Sequence, residues 1–163
     1  ILNKNLNEGF ILDAHIAQNE EQRLIMWERR EAAAEISLLK TPLINNDIAV
    51  PLDQVSKFLT AMEKKLPDLD PDADVLIVSH LGDGNVHYTV WPSKEDEIHK
   101  DKIMEAIETV VLTLGGSFSA EHGIGKLKAH LLSDMMGEKV MNKYKNIKNY
   151  FDPNAILGRG TLL

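Results

Sequence analysis

Apolar and polar positions fall into blocks whose period changes along the chain. From Glu20 to Leu39, strong helix formers, a Glu-rich first turn and the run Ala32-Ala33-Ala34 predict a long helix offering Leu24, Trp27, Ile36 and Leu39 to a buried face. Thr41-Pro42 ends it, because proline restricts the residue before it and has no amide hydrogen to donate. Asp47-Ile48-Ala49-Val50 reads as a strand. Pro51 opens a second helix with Leu52, Val55, Phe58, Leu59 and Met62 on one face, closed by Pro67 and Pro71. Val75-Leu76-Ile77-Val78 reads as a buried strand feeding a hairpin, and Val86 to Trp91 as its return. Ser93 is placed to cap a helix from Lys94 to Leu114, where Ile103, Ile107, Val110, Val111 and Leu114 recur at helical spacing before Gly115-Gly116 stops it. Ser117 to Ala120 is a short extended piece. A last helix from Ser133 to Lys148 turns Met136, Val140, Met141 and Tyr144 inward as core filling. Gly9-Phe10-Ile11-Leu12 reads as a further short strand. Strands interleaved with helices and joined partly by a hairpin predict an α+β fold, an antiparallel sheet with helices packed on one face.

Chemistry concentrates in Ser79-His80-Leu81-Gly82-Asp83-Gly84-Asn85-Val86-His87 and, downstream, Glu121-His122-Gly123. Asp-Gly between extended segments is a strong signal for a two-residue turn. With Asp83 and Gly84 as the loop, His80 faces His87 on the adjoining strand, and two imidazoles on one sheet face can converge on one ion. Glu121 can supply a third ligand and leave a position open, as catalytic sites require, with His122 beside the metal as a base. The spacing leaves another reading open, in which the two histidines contact an anion with the turn amides as a nest. His15, His99 and His130 have no partner motif and read as surface residues.

The 163 residues, 44% of them apolar, can bury one sizeable core. With 18 basic and 25 acidic residues the formal charge is −7, which disfavours a nucleic-acid backbone as partner. Cysteine is absent, so a metal must rely on imidazole and carboxylate. No apolar run approaches the roughly 20 residues of a membrane span, and no secretory pattern opens the chain. Gly82-Asp83-Gly84 lacks the third glycine and following helix of a dinucleotide fingerprint. The first residue is Ile1, which suggests a piece of a longer protein.

Three ordered motifs carry a resemblance: His80-x-Gly-Asp-Gly-Asn-x-His87, Glu121-His122-Gly123-Ile124-Gly125, and Phe151-Asp152-Pro153-Asn154-x-Ile156-Leu157. Together they resemble the C-terminal half of the FAD-linked oxidases of the vanillyl-alcohol oxidase type, which include D-lactate, glycolate and D-2-hydroxyglutarate dehydrogenases. The resemblance implies a ferredoxin-like cap domain spanning 1–163, which lays substrate against a flavin held by a separate N-terminal FAD-binding domain absent from this chain. It further implies that His80, His87 and Glu121 ligate a divalent ion, zinc or manganese, and that His122 removes the hydroxyl proton. Asn85 would position substrate or the flavin edge. Trp27-x-x-Arg30 is similar to a family Trp-x-x-Arg whose arginine holds the substrate carboxylate, for which a guanidinium's paired donors are suited.

The chain departs from the family pattern at three places. Asn45 stands two before Asp47 where the dicarboxylate-specific member has lysine, and Thr89 two after His87 where several members have asparagine, so a second substrate carboxylate is not expected. Gly158-Arg159-Gly160-Thr161 replaces the common Asn-Pro-Gly-Lys, and no flavin contact is assigned there. The expected function is thus the catalytic cap of an FAD-dependent dehydrogenase that oxidises a small D-2-hydroxy acid, inactive in isolation and passing electrons to an acceptor the sequence does not name. Its expected setting is cytoplasmic, peripheral to a respiratory membrane, or mitochondrial in a eukaryote, and a homo-oligomer stays open. Two other readings compete on the residues alone: a metal-dependent hydrolase, since the same ligands activate water, and a non-catalytic ferredoxin-like module.

Overall fold

Side chains of alternating character make one sheet with two unlike faces. In the computed structural model, residues 1–126 and 128–161 are described, the side chains at 33, 34 and 133–135 excepted. The chain divides into two units, Ile1–Leu39 and Lys40–Leu163.

The first unit holds α1 (Leu2–Asn7) and α2 (Glu20–Ile36). Residues 9–12 are turn and bend rather than the strand expected. The Asn19 side chain caps α2 by accepting the Gln22 N–H at 2.9 Å. The buried face predicted for α2 is absent within its unit: Leu24, Trp27, Ile36 and Leu39 are all exposed. A stretch of this length has too little apolar surface to enclose a core of its own.

The second unit carries β1 (Ile44–Ala49), a turn of 3₁₀ helix (Leu52–Gln54), α3 (Val55–Leu69), β2 (Asp74–His80), β3 (Asn85–Trp91), α4 (Glu97–Thr113) and α5 (Ala129–Phe151). The sheet is antiparallel in the order β1-β3-β2. Ser117 makes a bridge to Ala49 on the free edge of β1, with both backbone bonds formed at 2.7 and 2.9 Å. The extended piece expected at 117–120 is thus a fourth strand reduced to one bridge, and the β-α-β-β-α-β order of a ferredoxin-like fold results. Ile44, Ile48, Val86, Tyr88 and Val90 point to one face, where they meet Phe58 and Met62 of α3 and Ile103, Ile107 and Val111 of α4. The helices pack on that face, as expected. Phe58 meets Tyr88 edge to face, with centroids 5.5 Å apart.

Several boundaries differ from expectation for local reasons. Pro67 lies inside α3, which runs on to Leu69, because a proline this close to the end costs only a bond of the last turn. The strand β2 is an edge strand, not a buried one, and Val75 and Ile77 are partly exposed. The cap of α4 is Asp96, accepting from His99 N–H, and not Ser93. Ser93 instead donates its N–H to Asp70 at 2.8 Å. The same buried Asp70 takes the His99 ring Nε2 at 2.8 Å, so His99, expected on the surface, is a tie between α3 and α4. Burial opposes the Asp70 charge, but hydrogen bonds from His99, Ser93 and Asp72 outweigh it and hold the carboxyl down at about 2. His15 and His130 are both exposed, as expected.

The last helix is broken at Gly137, whose φ of 71° no helix contains, and Met136, Val140, Met141 and Tyr144 are half-buried along it. At its end the buried Asp152 accepts the N–H groups of Ile156 and Leu157 at 2.9 and 3.0 Å and is paired with Lys148. The Phe151-Asp152-Pro153 motif is therefore a helix stop that folds the tail back. Among the described residues, no helix is long and apolar enough to cross a membrane.

Candidate metal centre

The hairpin turn is longer than Asp83-Gly84 suggested. Asp83 N–H donates to His80 C=O at 3.2 Å, which closes a turn over 80–83, and Gly84 then takes the left-handed φ of 81°. Asp83 itself does not have positive φ, so the two-residue turn expected there cannot form. The Asp83 side chain instead accepts the Asn85 N–H at 3.0 Å. Four residues connect the strands, His80 pairs with Asn85, and His87 pairs with Val78. The expected direct opposition of His80 and His87 is therefore corrected to a diagonal. A shift of two residues preserves the face, since side chains alternate with period two, and diagonal neighbours at about 7–8 Å stay within reach of aromatic rings. The His80 and His87 rings meet edge to face, with centroids 5.3 Å apart.

This is the sheet face away from α3 and α4. It also carries Asn45 and Asp47 from β1, and Asn85 and Thr89 from β3, by the register of the ladder. The loop after Ser117 brings Glu121 to it: Glu121 Oε1 lies 3.9 Å from His80 Nε2, and Oε2 lies 3.8 Å from His87 Nε2. One ligand atom from each of His80, His87 and Glu121 lies within 4.8 Å of the others. Donors around a tetrahedral ion with bonds of about 2.0–2.1 Å stand roughly 3.4 Å apart, so a small closure completes the set. Two imidazoles and one carboxylate are donors that zinc or manganese takes. His122 stacks on His87 with centroids 5.7 Å apart, and its side chain is largely exposed.

Asn85 is buried, with neither its amide nitrogen nor its amide oxygen hydrogen-bonded among the described residues. A buried primary amide facing the same side as the histidines and left unpaired is costly unless something else pairs with it. Arg30 lies on α2 in the first unit, where its guanidinium bonds Glu31 at 2.7 Å and covers the Trp27 ring at 5.2 Å.

The residue that sequence reasoning passed over is Asp47. It is 1% exposed, and its Oδ2 accepts three consecutive N–H groups, from Ala120 at 3.2 Å, Glu121 at 2.6 Å and His122 at 2.7 Å. Burial opposes its charge, but the N–H groups of His122 and Glu121, with the nearby His122 and His87 rings, hold it below the ordinary aspartate value. The available signal was an acidic residue in the middle of a strand, where acids are depleted.

A family model described as the C-terminal domain of FAD linked oxidases matches residues 1–162. The chain belongs to that family. It is 32% identical over 96% of its length to a D-2-hydroxyglutarate dehydrogenase of Stutzerimonas stutzeri, covering 35% of that protein. It is 31% identical to a D-lactate dehydrogenase of Anaerostipes hadrus and 29% identical to the glycolate oxidase subunit GlcD of Bacillus subtilis, over 95% of the chain and 33% of each relative. The chain thus spans about a third of the length of these relatives.

Proposed function

We propose that this chain is the substrate- and metal-binding cap of an FAD-dependent dehydrogenase that oxidises a small D-2-hydroxy acid, of the D-lactate or glycolate class, to the 2-oxo acid. The observation that carries the reading is the convergence of His80, His87 and Glu121 on one point, with His122 stacked beside it. FAD belongs to the reading through the family, and an N-terminal domain of the whole protein holds it. When bound, the flavin takes the hydride, and the divalent ion lowers the pKa of the substrate hydroxyl.

The chain's own residues do the rest. His80, His87 and Glu121 fix the ion, His122 takes the hydroxyl proton, and Arg30 grips the substrate carboxylate through paired N–H donors. Asn85 turns its unpaired amide to the substrate or the flavin edge. Asn45 and Thr89 sit opposite one another on the site face, with side-chain oxygens 3.5 Å apart. A neutral pair there supports a monocarboxylate over a dicarboxylate, whose second charge would be desolvated without compensation. Membership of the FAD-linked oxidase family favours oxidation over the hydrolase and binding-module readings.

The test is dye-linked turnover by the full-length protein on D-lactate, glycolate and D-2-hydroxyglutarate. The reading expects the highest kcat/KM on one of the two monocarboxylates. Preference for D-2-hydroxyglutarate overturns the substrate class, and turnover of none of the three overturns the reaction.

A further inference from the structure

Asp47 stands at the junction of two elements that share nothing in sequence. It lies on β1 opposite His87, and its Oδ2 gathers the N–H groups that begin the Glu121-His122 corner. Three successive amides aimed at one oxygen make a nest that a charged acceptor fills well and a neutral one fills poorly. The other oxygen, Oδ1, is buried without a hydrogen-bond partner among the described residues, and His87 Nδ1 stands 3.6 Å from it. The nearby Lys128 ammonium is engaged by the Phe118 carbonyl. The opposite ring nitrogen, His87 Nε2, is the one that faces Glu121.

We infer that Asp47 is the positioning residue of the centre: Oδ2 pins the corner that carries Glu121 and His122, while Oδ1 holds the proton on His87 Nδ1 and so leaves Nε2 bare for the metal. This rests on the metal reading above and assigns a role to a residue outside the ligand set. The tautomer of a ligating histidine is set by what its other nitrogen bonds, and a carboxylate in that position also raises ligand basicity. One carboxylate thereby fixes the orientation of two ligands and the base at once. Asparagine in its place is isosteric but cannot serve both ends. Its NH₂ group either confronts the loop amides or turns to His87 and asks Nδ1 to accept.

The test uses full-length protein carrying isotope-labelled histidine, stripped of metal, at a pH well above the ordinary imidazole range. Ring nitrogen shifts read the tautomer, and calorimetric titration with zinc reads affinity. The wild type shows His87 protonated on Nδ1. Asp47→Asn moves His87 toward the Nε2-protonated form and weakens zinc binding about 10- to 100-fold. Asp70→Asn, which removes another buried carboxylate, leaves both readings unchanged and separates positioning from general loss of structure. A wild-type His87 protonated on Nε2, or an Asp47→Asn protein with unchanged tautomer and affinity, overturns the inference. If the wild type takes up no zinc, the metal reading falls, and the tautomer still decides the role of Asp47. If Asp47→Asn does not fold, the wild-type tautomer alone decides it.

Discussion

His80 and His87 lie on a diagonal of the β2–β3 ladder, His80 opposite Asn85 and His87 opposite Val78, and their rings meet edge to face with centroids 5.3 Å apart. Asn85 lies directly opposite His80 and two residues before His87, on the same face as both. Each histidine thus occupies its own strand, and one can be removed without moving the other. His80→Ala is expected to lower metal affinity by more than about 100-fold while the circular dichroism spectrum and melting temperature stay near the wild-type values. Dialysis followed by elemental analysis checks this, and full metal retention would count against His80 as a ligand.

His122 stacks on His87 beside the three proposed ligands and is not among them. His122→Ala in the full-length protein is expected to reduce kcat by about 10²- to 10⁴-fold, the usual contribution of a positioned acid or base, with metal content unchanged. Steady-state turnover alongside metal analysis separates the two, since loss of both together would make His122 a ligand.

Asp70 predicts a pH dependence of stability. Its folded value of about 2 lies below the ordinary 3.8, so the stabilisation is fully present above that ordinary value and is lost as pH falls through about 2. The difference is worth roughly 2 kcal/mol near neutrality. Asp70→Asn is expected to lose that amount at pH 7, with the gap from the wild type closing in acid. Denaturant midpoints measured across this range would show it, and a gap independent of pH would exclude the ionic explanation.

Gly84 is a position where a side chain has nowhere to go. Its φ is 81°, and an added Cβ would lie 2.1 Å from the Val50 carbonyl oxygen, which is backbone and cannot swing aside. Gly84→Ala is therefore expected to cost at least about 2 kcal/mol and to loosen metal binding with it. Thermal melts and zinc titration of the variant check both; a neutral substitution would mean that the turn relaxes freely.

How much of this was legible beforehand depends on the range of the interactions. The helices α3 and α4 and the strands flanking the turn follow from apolar periodicity, a local property, and the four residues of the centre stand in two short motifs. The register was misplaced by two because the turn is closed by the Asp83 N–H on His80, a backbone bond that composition does not reveal. The face survived that error because the slip was even. The exposed α2 was misread because periodicity shows that a helix has an apolar side, not what covers it. His99 and Asp47 were missed for a common reason: each is defined by a partner at least 29 residues away, Asp70 for the first and the 120–122 corner for the second.

The central claim is that His80, His87 and Glu121 share one divalent ion. Anomalous scattering from crystals of the full-length protein, recorded at the zinc and manganese absorption edges, measures this directly. The account predicts one peak within about 2.0–2.3 Å of a nitrogen of each histidine and an oxygen of Glu121. A metal-loaded protein with its peak elsewhere, or with Glu121 turned away from both rings, would contradict it.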